Sequence, residues 1–317
     1  LVKSLLIGGI IIKLVAIISV VLTYILIVFG GYVASSESGM GCGPEWPLCN
    51  GEVIPILENA TLIEFAHRVI GLLLAILVVS LFVLIKRNKS NKMLQTSGNW
   101  LVGLLTLQIL AGAVVVVLDL PTIVITVHLL VAMLFMLVLL WIYRTESHAR
   151  IETKLSDNRK SKVVFQLNVL IILLLLTMGF GAFIKHEYFG LACGWLDCRE
   201  TLLPVTTPEI LQTGHRVLAV LTAAYTIFLM FKAYLNNWGP GLKRRLLLAA
   251  AVVVIQILSG ILTIITNISI PWAVVHLAIG TALFMIIADT RLIMGLTITK
   301  INRNTWKVGK GQHINKL

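Results

Sequence analysis

Long apolar runs, interrupted by short polar segments, dominate the chain. A membrane-spanning helix takes about 20 consecutive, mostly apolar residues. Eight runs reach that length, at approximately 14–34, 62–85, 97–118, 122–143, 163–184, 209–231, 246–266 and 271–290. A further apolar stretch, Leu5 to Ile12, precedes the first run and lies between Lys3 and Lys13, the charge order of a signal peptide. Val33-Ala34-Ser35-Ser36 is a weak cleavage site and the run is long enough to span, so an uncleaved first helix is expected. The pattern predicts an all-α integral membrane protein of eight helices.

The polar segments sort by charge. Segments 1–13, 86–96, 144–162, 232–245 and 291–317 carry 22 of the 26 basic residues, and the alternate segments carry only Lys185 and Arg199. Arg68 and Arg216 fall inside spans. Cytoplasmic loops collect lysine and arginine, so both termini are expected in the cytoplasm. The first outer loop is acidic, with Glu37, Glu45, Glu52 and Glu58. Only 13% of the 317 residues are charged and 58% are apolar, with a mean hydropathy of +0.96. These values exclude a soluble globular domain and a disordered chain. The net charge of +12 therefore reflects topology and not nucleic-acid binding.

A shift of 148 residues superposes polar positions of the two halves. Ala66-His67-Arg68-Val69 falls on Gly214-His215-Arg216-Val217, Gln108-Ile-Leu-Ala-Gly112 on Gln256-Ile-Leu-Ser-Gly260, and Val127-His128-Leu129 on Val275-His276-Leu277. One ungapped shift fits all three. The chain reads as two pseudo-symmetric four-helix bundles, 1–150 and 151–317, joined by the basic stretch 144–162. Four is even, so the halves share one orientation and form parallel repeats about an axis along the membrane normal.

Polar groups inside a bilayer are costly and usually functional. His67, His128, His215 and His276 lie in spans, about five or six residues from their outer ends, which is ~8 Å at the helical rise. Within each half the pair is 61 residues apart, on the second and fourth helices. Two imidazoles on facing helices can fill the axial positions of a haem iron. The plainer reading is four interhelical hydrogen bonds, but duplicated pairs at matched depth favour haem or metal ligation. Zinc would usually add a carboxylate or cysteine. His148, His186 and His313 have no counterpart and read as solvated loop or tail residues.

Arg68 and Arg216 each follow one of these histidines and could hold haem propionates by paired charged hydrogen bonds, or simply snorkel and anchor the helix end. Gly112 and Gly260 would let a macrocycle or, more plainly, a neighbouring helix approach. The halves differ at Glu64, whose counterpart is Gln212. Glu64 precedes His67 by three residues, so both can face one pocket. A carboxylate there costs free energy unless it is partnered or neutral, which suits acid–base chemistry beside one pair only. A salt bridge to Arg68, or a helix-start carboxylate favoured by the dipole, is the plainer role. The asymmetry suggests that one half does chemistry and the other holds a permanent cofactor.

Cys42 and Cys49 lie in the first outer loop, Cys193 and Cys198 in the third, which are equivalent loops of the two halves. The outer face of a bacterial membrane permits disulfides. Each pair could close a small loop above its pocket, as a structural staple or as a redox-active couple.

The string Gly39-Met-Gly-Cys42-Gly-Pro-Glu-Trp-Pro-Leu-Cys49, Glu64-Phe-Ala-His67-Arg68, Val127-His128-Leu129, the Cys193/Cys198 loop, His215-Arg216 and His276 together resemble the haem A synthases, in their cysteine-paired bacterial form. The resemblance spans nearly the whole chain, except 144–162 and the tail after about 300. It implies an oxidoreductase that converts haem O to haem A for terminal oxidases, taking a ring methyl to a hydroxymethyl and then, through its hydrate, to an aldehyde. It further implies haem O as substrate at His67 and His128, with catalysis assisted by Glu64, and a resident haem b between His215 and His276. The cysteines match the family's disulfide-forming pairs on the extracytoplasmic side of the bacterial cell membrane. Haem O synthase, which farnesylates haem B, is the expected partner, with membrane lipid around the chain. The runner-up is a dihaem b-type membrane cytochrome passing electrons, with quinol as donor, and a third class is a duplicated transporter. The cytochrome gives no special role to Glu64. Pro121 and Pro271 at outer span ends argue against the helix breaks of a transporter.

Overall fold

The computed structural model describes residues 2–88, 91–147, 151–194, 198 and 203–314, with side chains between 8 and 296 within those limits. The helices are α1 (Val2–Ser35), α2 (Asn59–Arg87), α3 (Lys92–Val117), α4 (Thr122–Ser147), α5 (Asp157–His186), α6 (Thr207–Leu235), α7 (Pro240–Ile265) and α8 (Ile270–Ile314), with a single 3₁₀ turn at Phe189–Leu191. No strand occurs among the described residues, where Cys49 and Glu52 form an isolated bridge. All eight helices contain a segment long and apolar enough to cross a membrane. The chain is a multi-pass, all-α membrane protein, as its hydrophobic pattern predicts.

The ends of the elements differ from expectation in physically informative ways. Helix α2 starts at Asn59 and α6 at Thr207, earlier than the apolar runs at 62 and 209, because helical turns continue into polar residues. At the start of α6, Glu209 closes the turn by accepting from the amides of Val205 (2.9 Å) and Thr206 (3.1 Å). Helix α8 continues to Ile314, well past the expected span end at 290. His186, expected in a solvated loop, is the last residue of α5 and half-buried, and its carbonyl accepts from Thr122 Oγ1 at 3.3 Å. The expectations for His148 and Arg199 fall outside the described residues, as does the side chain of His313.

Within the first four helices, α1 and α3 each pack on both α2 and α4. The same pattern recurs in the last four, where α5 and α7 each pack on both α6 and α8. The two sets meet through α4 on α5 and α8, and through α1 on α8. Helices α4 and α8 are accordingly the core elements, with Met133, Met136, Leu139, Leu283, Phe284 and Ile287 buried. Outer helices turn apolar residues outward, among them Leu72, Leu73, Ile76 and Val79 of α2 and Val217, Val220 and Leu221 of α6. A continuous apolar exterior of this kind suits lipid and not water.

Two details recur at the ends of the halves. The α3–α4 and α7–α8 turns each place two successive non-glycine residues at positive φ, Asp119 (57°) and Leu120 (59°), then Asn267 (53°) and Ile268 (57°). Leu120 and Ile268 then pack against Gly39 and Gly190, where an added Cβ would lie 3.2 and 2.6 Å away. At the opposite, basic end, Asp289 of α8 accepts from Arg144 of α4 (Nη2, 2.7 Å) and from Arg245 of α7 (Nη1, 2.6 Å). The segment after 150 docks on the α6–α7 turn. There Lys154 N–H donates to the Trp238 carbonyl at 3.1 Å. Gly239 takes a φ of 104°, and a side chain on it would strike Glu152 O.

Candidate functional site

His67 and His215 sit eight residues into α2 and α6 (67 − 59 and 215 − 207), and His128 and His276 six residues into α4 and α8 (128 − 122 and 276 − 270). That is about 12 and 9 Å from the cysteine-bearing ends of the helices. Each ring lies against a glycine of the preceding helix. A Cβ added at Gly30 would lie 3.1 Å from His67 Nε2, at Gly112 3.2 Å from His128 Cε1, at Gly181 2.8 Å from His215 Cε1, and at Gly260 2.9 Å from His276 Cε1. The glycines thus let an imidazole press onto a helix backbone, closer than a Cβ allows at Gly181 and Gly260 and tightly at Gly30 and Gly112. Gly112 and Gly260, expected to ease helix packing or a macrocycle, serve the histidine rings.

The histidines come together in pairs. His128 interacts electrostatically with His67, and His276 with His215. Gln108 Nε2 lies 3.0 Å from His128 Nε2, and Gln256 Nε2 lies 3.3 Å from both ring nitrogens of His276. Several buried polar atoms have no hydrogen-bond partner: His128 Nδ1, His215 Nδ1, Gln108 Oε1 and Gln256 Oε1. Buried polar atoms are ordinarily paired, so a cluster of orphaned atoms at both histidine pairs points to a bound group. Among the described residues no three His, Cys, Asp or Glu side chains gather as a metal site. Two nitrogens per half, without a third ligating side chain, fit an iron whose equatorial positions are filled by a porphyrin. They do not fit tetrahedral zinc.

Over each pair lies a disulfide loop. Cys42–Cys49 and Cys193–Cys198 are bonded, with S–S distances of 2.00 and 2.05 Å. The loops hang from equivalent side chains. Glu64 Oε2 accepts from the Cys42 amide at 2.8 Å, and Gln212 Oε1 accepts from the Cys193 amide at 2.5 Å. Glu64 is 4% exposed and its other oxygen pairs with Arg68 at 2.5 Å. Arg68 Nη1 donates to the Leu48 carbonyl at 2.8 Å, while Arg216 Nη2 donates to Gly194 O at 2.6 Å. Glu64 therefore reaches toward the loop, with both oxygens engaged, and its partner is the arginine one turn along. The two arginines bind loop carbonyls of their own halves.

One group escapes the shift of 148. Phe29-Gly30 matches Phe180-Gly181 at a shift of 151, as Cys42 matches Cys193, whereas Cys49 matches Cys198 at 149. The second half is shorter by two residues inside its disulfide ring and by one after it. Only a gapped comparison brings the glycines of α1 and α5 into register. Ser259, in register with Ala111, adds a contact that the shift alone does not reveal: its Oγ lies 3.0 Å from His276 Nδ1.

Residues 13–288 match the model of a family described as cytochrome oxidase assembly protein. The chain is 28% identical to a protein named Heme A synthase from Bacillus pumilus (strain SAFR-032), over 86% of this chain and 91% of that one. It is likewise 28% identical to proteins of the same name from Bacillus cereus (strain AH187) and Bacillus anthracis (strain CDC 684 / NRRL 3495), over 92% of this chain and 95% of each. With a match across nearly all of its spans and both histidine pairs, the chain belongs to the cytochrome oxidase assembly protein family.

Proposed function

We propose that this protein is a haem A synthase, an oxidoreductase that oxidises a ring methyl of haem O to the formyl group of haem A. The half 1–150 takes haem O as substrate, with His67 and His128 facing its iron. The half 151–317 holds a resident haem b between His215 and His276. A b-type haem bound there supplies one-electron transfer to and from the substrate site. The substrate enters laterally from lipid, farnesyl tail in the membrane, propionates toward the cysteine end and the N–H groups of Arg68. In the second half Arg216 takes the same role. The disulfide loops lie outside the bacterial cell membrane and both termini inside, with haem O synthase as the supplier of substrate.

The observation that carries this reading is the difference between Glu64 and Gln212. Both hold the amide of the first loop cysteine, yet only Glu64 brings a charge and an ion-paired arginine. A carboxylate is not needed to fasten the loop, because glutamine does it in the other half. We assign Glu64 to proton handling or cation stabilisation at the substrate methyl. Its pairing with Arg68 and Cys42 holds it at the mouth of the first site and keeps a buried charge compensated.

The test is pigment analysis of the detergent-solubilised protein. Extraction is expected to yield haem B together with haem O, its hydroxylated form or haem A. Two haem B per chain and no other pigment would refute the assignment. Glu64→Gln is expected to keep both haems and lose turnover; normal product from that variant would remove Glu64 from the chemistry.

A further inference from the structure

We propose that Ser259 is a positioning residue that fixes the ring of His276, and that this bond makes the second histidine pair the one that keeps its haem. The inference rests on the reading of His215 and His276 as haem ligands. Ser259 precedes Gly260 on α7 and is 3% exposed. Its Oγ lies 2.8 Å from the Gln256 carbonyl and 3.0 Å from His276 Nδ1. A hydroxyl has one proton to give. Donated to the carbonyl, it leaves an oxygen lone pair that accepts from Nδ1–H. The chain then runs from Nδ1–H to Oγ–H to the carbonyl, with each donor matched. A neutral imidazole held in that tautomer has one lone pair left, on Nε2, where a metal would take the place of the Gln256 amide that lies 3.3 Å away. Histidine ligands commonly donate their second N–H in this way, which fixes the ring and raises its basicity.

The first half supplies the comparison. Position 259 − 148 is Ala111, while Gln108, Gly112 and His128 match Gln256, Gly260 and His276. A methyl accepts nothing, and His128 Nδ1 is buried with no hydrogen-bond partner. The two surroundings thus share glutamine, glycine and histidine, and at the position before the glycine they differ by one hydroxyl. A cofactor must stay, whereas a substrate must leave as product. The hydroxyl stands in the half assigned to the cofactor and is missing in the half assigned to the substrate. A serine that merely bonds back to its own helix, as serines in membrane helices do, would leave the spectrum and the haem affinity unchanged.

The experiment compares wild type with Ser259→Ala, Ser259→Thr, Ala111→Ser and His276→Ala. It measures haem b transfer to excess apomyoglobin, the haem midpoint potential and the low-spin electron paramagnetic resonance signal. Ser259→Ala is expected to speed transfer by about 10–100-fold, raise the midpoint and shift the signal, and Ser259→Thr to restore all three. Ala111→Ser is expected to slow the transfer of haem O from the first half, an outcome independent of how well the serine variants fold. Unchanged transfer and spectrum in Ser259→Ala, with haem b lost from His276→Ala, would overturn this inference alone. Full haem b in His276→Ala would overturn both this inference and the ligand assignment beneath it.

Discussion

Substituting Gly181 by alanine separates haem binding from folding. A Cβ at Gly181 would lie 2.8 Å from His215 Cε1, with Nδ1 and Nε2 at 3.4 and 3.5 Å. Carbon atoms sit comfortably at about 3.5–4.0 Å, so the ring must retreat by roughly 0.7 Å or more. Ligating groups need placement within about 0.5 Å to work. Folding is affected less. Crowding a packed position costs about 1–3 kcal/mol, while replacing a helical glycine with alanine returns about 1 kcal/mol. The net loss is about 0–2 kcal/mol. The variant should therefore fold, melt near wild type and hold substantially less haem b.

A graded series sharpens the test. The gap from the added Cβ to the ring widens from Gly181 (2.8 Å) to Gly260 (2.9 Å), Gly30 (3.1 Å) and Gly112 (3.2 Å), while Gly103 on α3 has nothing within 4 Å. Haem per chain and the reduced spectrum, measured beside a thermal melt, are expected to follow that order. Alanine at 181 and 260 should deplete haem b, and alanine at 30 and 112 should weaken the binding of added haem O. Gly103→Ala should match wild type. Equal haem b content in Gly181→Ala and Gly103→Ala would refute the idea that the glycine sets the ring.

Other perturbations probe the frame around the sites. Asp289→Ala leaves Arg144 and Arg245 facing one another without their shared carboxylate. Because these side chains are only partly buried, a loss of about 2 kcal/mol is expected, of the size of charge-assisted hydrogen bonds. A denaturant or thermal series in detergent measures it, and an unshifted midpoint would mean that the cluster contributes nothing. Gln212→Leu strands the Cys193 amide and the Gly190 carbonyl, which the glutamine joins. It should cost about 1–3 kcal/mol and speed proteolysis between α5 and α6; wild-type resistance would show the bridge to be dispensable.

The sequence made the membrane class, the number of helices and the four histidines legible, because apolar runs and isolated polar residues within them survive as patterns in one dimension. The pairing of rings with glycines was half visible. Gln108-Gly112 and Gln256-Gly260 share the shift of the histidines, whereas Phe29-Gly30 and Phe180-Gly181 are displaced by the shorter second cysteine loop. A glycine's role also depends on what lies across from it, which spacing on one helix does not reveal. The three-residue offset lets Glu64 face the histidine pocket. A long side chain at that offset can equally turn outward, and the amide of Cys42 and the guanidinium of Arg68 determine its direction.

Two differences between the halves are reciprocal at the candidate sites. On the proposed assignment, the first half has a charged carboxylate at the loop and no hydroxyl behind its second histidine. The second half has a neutral amide at the loop and Ser259 behind His276. One exchange favours reaction and the other retention, and neither alters the helices that carry them. Helix α1 also joins the two sites. Gly30 receives His67, and the adjacent Gly31 is filled by Leu277, the neighbour of His276, whose Cδ2 would lie 2.3 Å from an added Cβ. Two consecutive glycines thus bring the ligand helices of both halves against the backbone of one helix. Side chains at 30 and 31 would press on His67 of α2 and on Leu277 of α8, one in each half, so α1 packs closely on both only while those positions stay bare.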